Sequence, residues 1–247
     1  MLLYNKKIKI VGVYHTMSIK ILALDTTTEA HSVALINNEK IDARFEIAPR
    51  LHTQRILPII KELLYKQNMR LGEIDLLAFG HGPGSFTGIR IAISITQGLA
   101  LGAHLPIVGI SSLVTMAQSA WNQIAATHVL AGINARMGEI YWAEYQRNDQ
   151  GIWTGKETIL SIKIVLSRIA TLKGKWAIVG NIWKIYPELS KTVPDLQLIE
   201  TNIILPIAKD MLPLASRAWQ RREIKKVEDA IPVYLRNEIA WAKNPNP

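Results

Sequence analysis

Eleven residues, Gly80-His81-Gly82-Pro83-Gly84-Ser85-Phe86-Thr87-Gly88-Ile89-Arg90, constrain this chain more than any other stretch. Four glycines and a proline punctuate them. The apolar run Ile74 to Phe79 leads in, and the apolar segment Ile89 to Ala103 leads out. That order predicts a strand, a tight loop and a helix. Glycine there permits positive φ and lets another group approach the main chain closely. Ser85 or Thr87 is placed to cap the helix. A loop feeding a helix N-terminus is also a place where an anion can sit.

The loop is neither of the two common phosphate motifs. A Walker A needs G-x-x-x-x-G-K-[ST], and here Gly88 is followed by Ile89-Arg90. A G-x-G-x-x-G motif would need glycine where Thr87 stands. Gly82, Gly84 and Ser85 remain candidates for touching phosphate, beside the plainer reading of a tight turn. Asp25-Thr26-Thr27 closes the first strand and is the second candidate. Asp25 is suited to hold a metal-bound nucleotide or to cap its own turn, and the residues leave both readings open. Two such loops at strand ends would face one cleft.

The helix after the loop is apolar on every side, through Ile89, Ile91, Ile93, Ile95, Leu99 and Leu101. Such a helix is expected to be covered all round. One face can pack on a sheet, and little in the first half of the chain remains to cover the other. That points to a protein interface. Gly98 and Gly102 stand four apart, where another helix can come close. No Asp, Glu, Lys or Arg lies between Ile91 and Ala135, yet Ser94, Thr96, Gln97, His104 and Pro106 interrupt any membrane-spanning window. No membrane association is expected.

In chain order, Ile19 to Asp25, His31 to Ile36 and Ile41 to Phe45 read as a three-stranded meander. Thr53 to Tyr65 reads as a helix with Ile56, Leu57, Ile60, Leu63 and Leu64 on one face and Pro58 inside it. Ile107 to Ile110 is a strand, and Ser111-Ser112 caps a helix to about Trp121. The order then recurs: strands at Val129 to Asn134, Ile140 to Tyr145 and Ile152-Trp153, a helix at Ile162 to Leu172, and a strand at Trp176 to Val179. Pro206 to Arg221 reads as a closing helix. The fold class is α/β, with two duplicated βββαβα lobes. The division is an extension at 1–16, a first lobe at 17–122 carrying the partner interface, a second lobe at 123–236, and a frayed tail at 237–247.

The formal charge of +9 favours anionic partners but does not identify one. There is no cysteine, which excludes thiolate nucleophiles and cysteine zinc sites. The histidines show no H-x-x-x-H or H-E-x-x-H spacing, so no metal site is expected. Ser85 lacks the G-x-S-x-G context of a hydrolase.

The segments ILALDTTTEAHSVAL, LHTQRILPII, GHGPGSFTGIRIAISITQGLALG, GINARMGEIYWAEY and PVYLR, in this order, resemble the TsaB (YeaZ) family. The resemblance runs from about Met17 to Arg236. It implies an actin/Hsp70/sugar-kinase fold and a non-catalytic, cytoplasmic subunit of the system that makes threonylcarbamoyladenosine in tRNA. The implied partners are the catalytic paralogue TsaD as a heterodimer, TsaE in a ternary complex, and a second copy of the chain when alone. Contact with tRNA would be indirect. TsaD-like proteins bind metal through paired histidines, where this chain has Ser111-Ser112-Leu113-Val114-Thr115-Met116-Ala117. No catalytic residue is implied, and no cofactor, with ATP or ADP met only at the shared interface. The family pairs through its first-lobe helices, which makes Ile56, Ile60, Leu64, Ile93, Gln97 and Leu101 the interface candidates. A small-molecule kinase using Asp25 and the loop, or a metallopeptidase, is the alternative function on the same fold.

Overall fold

The computed structural model of the protein describes residues 19–191 and 193–236. The expected extension and tail, at 1–16 and 237–247, lie outside the described residues. Two sheets are built from the two halves of the chain. The first contains β1 (Ile21–Asp25), β2 (Ala30–Asn37), β3 (Lys40–Ile47), β4 (Leu76–Gly82) and β5 (Ile107–Ser111), in the order β3-β2-β1-β4-β5. β1 to β3 pair antiparallel; β4 and β5 add parallel beside β1. All five residues of β1 are buried, as the near-continuous apolar run of a central strand requires.

The second sheet repeats this plan with β6 (His128–Arg136), β7 (Glu139–Arg147), β8 (Trp153–Thr154), β9 (Thr158–Ser161), β10 (Gly174–Val179) and β11 (Leu196–Ile199). Its order is β11-β10-β6-β7-β8, and β9 also pairs β7. β6 corresponds to β1 and β10 to β4, again parallel. The duplication expected from the strand order is therefore present. One detail differs. The third strand of this half is split, with β8 and β9 both on β7. The break falls at Gly155-Lys156-Glu157, where Gly155 lies against the Tyr145 ring and Glu157 turns inward to the Tyr145 hydroxyl.

The helices are α1 (His52–Lys66), α2 (Phe86–Ala103), α3 (Ser112–Ile124), α4 (Ile162–Ile169), α5 (Ile182–Ile185) and α6 (Ala208–Gln220). α1 and α2 cover one face of the first sheet through Ile56, Ile59, Ile60, Leu63, Ile89, Ala92 and Ile93. α4 and α5 cover the outer face of the second. α3 and α6 exchange lobes. α3 follows β5 but packs Leu113, Met116, Ala117 and Ala120 onto the second sheet. α6 follows the second half but packs Ala208, Met211, Leu212, Ala215 and Ala218 onto the first sheet. A boundary at residue 122 in sequence is thus not a boundary in packing. Asp210 of α6 accepts hydrogen bonds from Ser119 and Asn122 of α3, so the crossing is polar at its centre.

Candidate functional site: the paired loops between the lobes

The loop after β1 and the loop after β4 are packed against each other. Ser85 N–H donates to the Thr27 carbonyl at 2.7 Å, and the Thr26 hydroxyl donates to the Gly88 carbonyl at 2.7 Å. A side chain on Gly84 would overlap the Thr27 carbonyl, and one on Gly88 the Thr26 carbonyl. Here glycine serves close backbone approach. Ser85, rather than Thr87, caps α2 by accepting from Gly88 N–H at 3.3 Å.

Asp25 anchors the arrangement. Its Oδ1 accepts from the Thr27 N–H at 2.9 Å and the Thr27 hydroxyl at 2.8 Å. Its Oδ2 is buried without a partner and lies where a side chain on Gly80 would begin. Burial pushes the carboxyl up to about 6, against the pull of the two Thr27 bonds. The Thr27 hydroxyl is also 2.9 Å from the Ser112 hydroxyl at the start of α3. Thr26 and Thr27 are fully buried. The nucleotide candidates Asp25, Thr26, Thr27, Gly82, Gly84 and Ser85 are therefore brought together, but the space between the loops is filled by the loops. A phosphate has no place between Thr26-Thr27 and Gly84-Ser85 in this arrangement.

The second lobe carries a reduced copy. Asn134 stands where Asp25 does, and its Oδ1 accepts from Arg136 N–H two residues on, as Asp25 accepts from Thr27. Its Gly-rich counterpart is only Gly180-Asn181, and a side chain on Gly180 would strike the Gly132 carbonyl. Asn181 bonds Asn134 N–H at 2.9 Å. Among the described residues no three His, Asp or Glu side chains gather at a metal-binding distance.

Two features of the cleft were not legible in the residues. Glu157 accepts the Tyr145 hydroxyl proton in a hydrogen bond, and the Ser111 hydroxyl reaches the same pair. Burial pushes the Glu157 carboxyl up and the Tyr145 hydroxyl well above its ordinary value. The segment 225–236 forms a strap over both lobes. Lys225 bridges to Ile107, Val233 N–H donates to the His81 carbonyl at 3.1 Å, and Arg236 bonds the Ala135 carbonyl at 3.1 Å and pairs with Glu139. Under it, Arg90 lies 3.5 Å over the Phe86 ring, which stacks on Tyr234. His81, beneath the strap, is held down to about 4 by burial and by Lys225.

The interface candidates divide. Ile56, Ile60 and Ile93 point into the chain's own core and are corrected from outward contacts to core residues. Leu64 is half-buried on that core, and Gln97 donates to the Ala230 carbonyl at 3.4 Å. Leu101 is 62% exposed. α2 is not covered all round. Its outward ridge is Ser94, Gly98, Leu101 and Gly102, flanked by half-buried Ile91, Ile95 and Leu99. Nothing lies within 4 Å of a side chain built on Gly98 or Gly102. The neighbouring outer face of α1 exposes Leu57 and Tyr65. By length and composition alone α2 could cross a membrane, but its inner side packs on the first sheet.

Residues 44–243 match the family model described as "TsaD: tRNA N6-adenosine threonylcarbamoyltransferase". A protein of Escherichia coli K12 is 53% identical over 92% of this chain and 98% of its own length. It carries the name tRNA threonylcarbamoyladenosine biosynthesis protein TsaB. The chain belongs to the TsaB (YeaZ) family. The TsaB of Haemophilus influenzae is 40% identical over 92% of the chain and 98% of itself. The solved structure of YeaZ from Pseudomonas aeruginosa superposes with a TM-score of 0.77 at 39% identity, covering 88% of this chain and all of that one. The two duplicated lobes read from the strand order are thus built on the fold of the solved YeaZ structure.

Proposed function

We propose that this chain is a non-catalytic subunit in the synthesis of threonylcarbamoyladenosine in tRNA, and that it acts by docking its catalytic paralogue TsaD. The names of the TsaB relatives support the process. The observation that carries the role is the pair of filled loops beside an open helix face. The Thr26-Thr27 turn occupies the ground that a phosphate would need, and Oδ1 of Asp25 is taken up by its own turn. The chain then takes no nucleotide of its own, and ATP or ADP would be met only where the paralogue completes a site.

The docking surface in this reading is the ridge Ser94-Gly98-Gly102 with Leu101, Leu57 and Tyr65 around it. Small residues four apart let a second helix approach closely, and the apolar rim supplies area to bury. The same surface serves a second copy of the chain when the paralogue is absent, and TsaE joins the assembled pair. Reconstitution of the modification with purified paralogue, TsaE and the adenylate donor tests it. Modification is expected only when this chain is present. Full modification without it would remove the proposal, as would micromolar ATP turnover by the chain alone.

A further inference from the structure

We propose that the free edge of β3 pairs with the β3 edge of a second copy of the chain, antiparallel and about a two-fold axis at Ala43. The contact is separate from the α2 ridge and does not depend on the docking reading. β3 is the outermost strand of the first sheet, and among the described residues no strand lies beyond it. It pairs with β2 along its whole length without a bulge. Such an edge presents a row of unpaired N–H and C=O groups, a template for another strand.

Which groups are free follows from the turn. Only Asn38 and Glu39 separate the partners Asn37 and Lys40. The pair that closes a two-residue hairpin is hydrogen-bonded, and hydrogen-bonded pairs alternate along the ladder. Lys40, Asp42, Arg44 and Glu46 therefore bond β2, while Ile41, Ala43, Phe45 and Ile47 turn their N–H and C=O groups outward. The side chains divide in the same way. Asp42, Arg44 and Glu46 pair with Lys66, Glu62 and Arg55 of α1. On the opposite face Ala43 joins the core under α6, but Ile41, Phe45 and Ile47 are 41%, 40% and 64% exposed. Natural edges are commonly blunted by lysine, proline or a bulge, and this face carries none of them.

The strand is complementary to itself. Centred on Ala43, the two-fold sets Ile41 opposite Phe45 of the second copy, Asp42 opposite its Arg44, and Lys40 opposite its Glu46. Aromatic with β-branched, and positive with negative, are the favourable cross-strand pairs. Centred on Arg44, the strands would set Arg44 against Arg44 and Asp42 against Glu46, which like charges disfavour. Centred on Phe45, Ile41 would need a bond from Pro49, which has no N–H. The charged row thus selects both the register and the partner, since an unrelated apolar strand would leave it unmatched. The copies have room to meet. α1 packs chiefly on β2, and α6 on β1 and β2, so neither helix overhangs the edge. The two β2 strands would stand three strand spacings apart, about 14 Å. Packed helices need only about 8–10 Å.

The chain has no cysteine, so Ala43→Cys puts a single thiol on the two-fold axis. Opposed Cα atoms in a hydrogen-bonded antiparallel pair are about 5.5 Å apart, within reach of a disulfide. The test is oxidation of the full chain by oxidised glutathione, read on non-reducing gels. Ala43→Cys should give about fivefold more covalent dimer than Ile47→Cys, whose thiol would face Glu39 of the second copy. Adding Phe45→Lys to Ala43→Cys should lower the yield about fivefold, because lysine blunts the edge. Adding Gly98→Leu instead should leave the yield unchanged. One strand edge buries little area, so bulk self-association still follows α2 and the cross-link is what reads this contact. Circular dichroism checks that each variant is folded, and Phe45→Lys should still co-elute with the paralogue. Equal yields at positions 43 and 47 would overturn the proposal. So would a folded Phe45→Lys chain that still links, a link lost with Gly98→Leu, or a thiol at position 43 that links the paralogue and not a second copy.

Discussion

The unpaired Oδ2 of Asp25 rests on the bare Cα of Gly80. A side chain added there would overlap Oδ2 and come within 2.8 Å of Cγ. The two residues sit on neighbouring parallel strands, and both loops of the cleft are hung from this contact. Gly80→Ala is expected to cost about 1–3 kcal/mol, the usual cost of overpacking a closed site. Urea unfolding of the variant measures it. A midpoint equal to wild type would mean that the contact is slack.

The carboxyl of Asp25 also sets a pH dependence. Its folded value of about 6 lies above the ordinary 3.8, so the fold disfavours the charged form. The cost is absent below pH 4, grows as pH rises to 6, and is then constant at about 3 kcal/mol at most. Asp25→Asn keeps the acceptor for Thr27 and removes the charge. It should raise stability at pH 7 to 8 and leave stability at pH 4 nearly unchanged. Equal gains at both values would show that Asp25 does not titrate in this window.

His81 works in the opposite direction. Its folded value of about 4 lies below 6.5, so the fold disfavours the protonated ring. Stability is intact above pH 6.5 and is lost as pH falls toward 4. The wild-type curve between pH 4 and 6.5 is therefore a near-cancellation of two slopes. Asp25→Asn should therefore uncover a net loss of stability as pH falls from 6.5 to 4, and His81→Gln should uncover the opposite, a stability that rises as pH falls from 6 to 4. Denaturation midpoints at half-unit steps of pH resolve the two. Parallel curves for both variants would sink the account.

How far this was legible depended on how local the cause was. The strands, the turns and the duplication follow from apolar runs broken by Asn, Asp and Gly, which are properties of neighbouring residues. The contact of the Gly-rich loop with Thr26-Thr27 was half visible. The glycines declared that something approaches the backbone, but not that it was the chain's own turn. The inward orientation of Ile93 was hidden, because an all-apolar helix carries no polar stripe to mark its outer face. In α1, Leu57 and Ile56 are adjacent and equally apolar, yet one is exposed and the other buried. The landing of α6 on the first sheet depends on Ala208 to Ala218 meeting Ile21, Ala23 and Leu76, partners more than a hundred residues away.

That crossing is testable through Asp210. Its two oxygens take the Ser119 hydroxyl and the Asn122 amide of α3, and the side chain is 9% exposed. Asp210→Ala leaves both donors short of an acceptor at the seam between the lobes. A loss of about 1–3 kcal/mol is expected, with faster proteolysis of the linker at Ala125-Ala126-Thr127. Ser119→Ala with Asp210→Ala should cost less than the sum of the two single changes, because the pair is coupled. Simple additivity would show that the two helices are held by their apolar faces alone.

The outward ridge of α2 supports a sharper separation of docking from folding. Gly98 is exposed, helical and has no neighbour within 4 Å of a built side chain. Leucine is the better helix former there, by roughly 0.5–1 kcal/mol. Gly98→Leu should therefore leave the isolated chain as stable as wild type or more so. In a complex the same side chain stands where a second helix must approach. Co-elution with the paralogue, and self-association at high concentration, should both fall by at least tenfold. Ile93→Glu is the weaker experiment, since Ile93 is 6% exposed in the chain's own core and the charge would damage the fold itself. A Gly98→Leu chain that is stable and still pairs normally would move the interface away from α2.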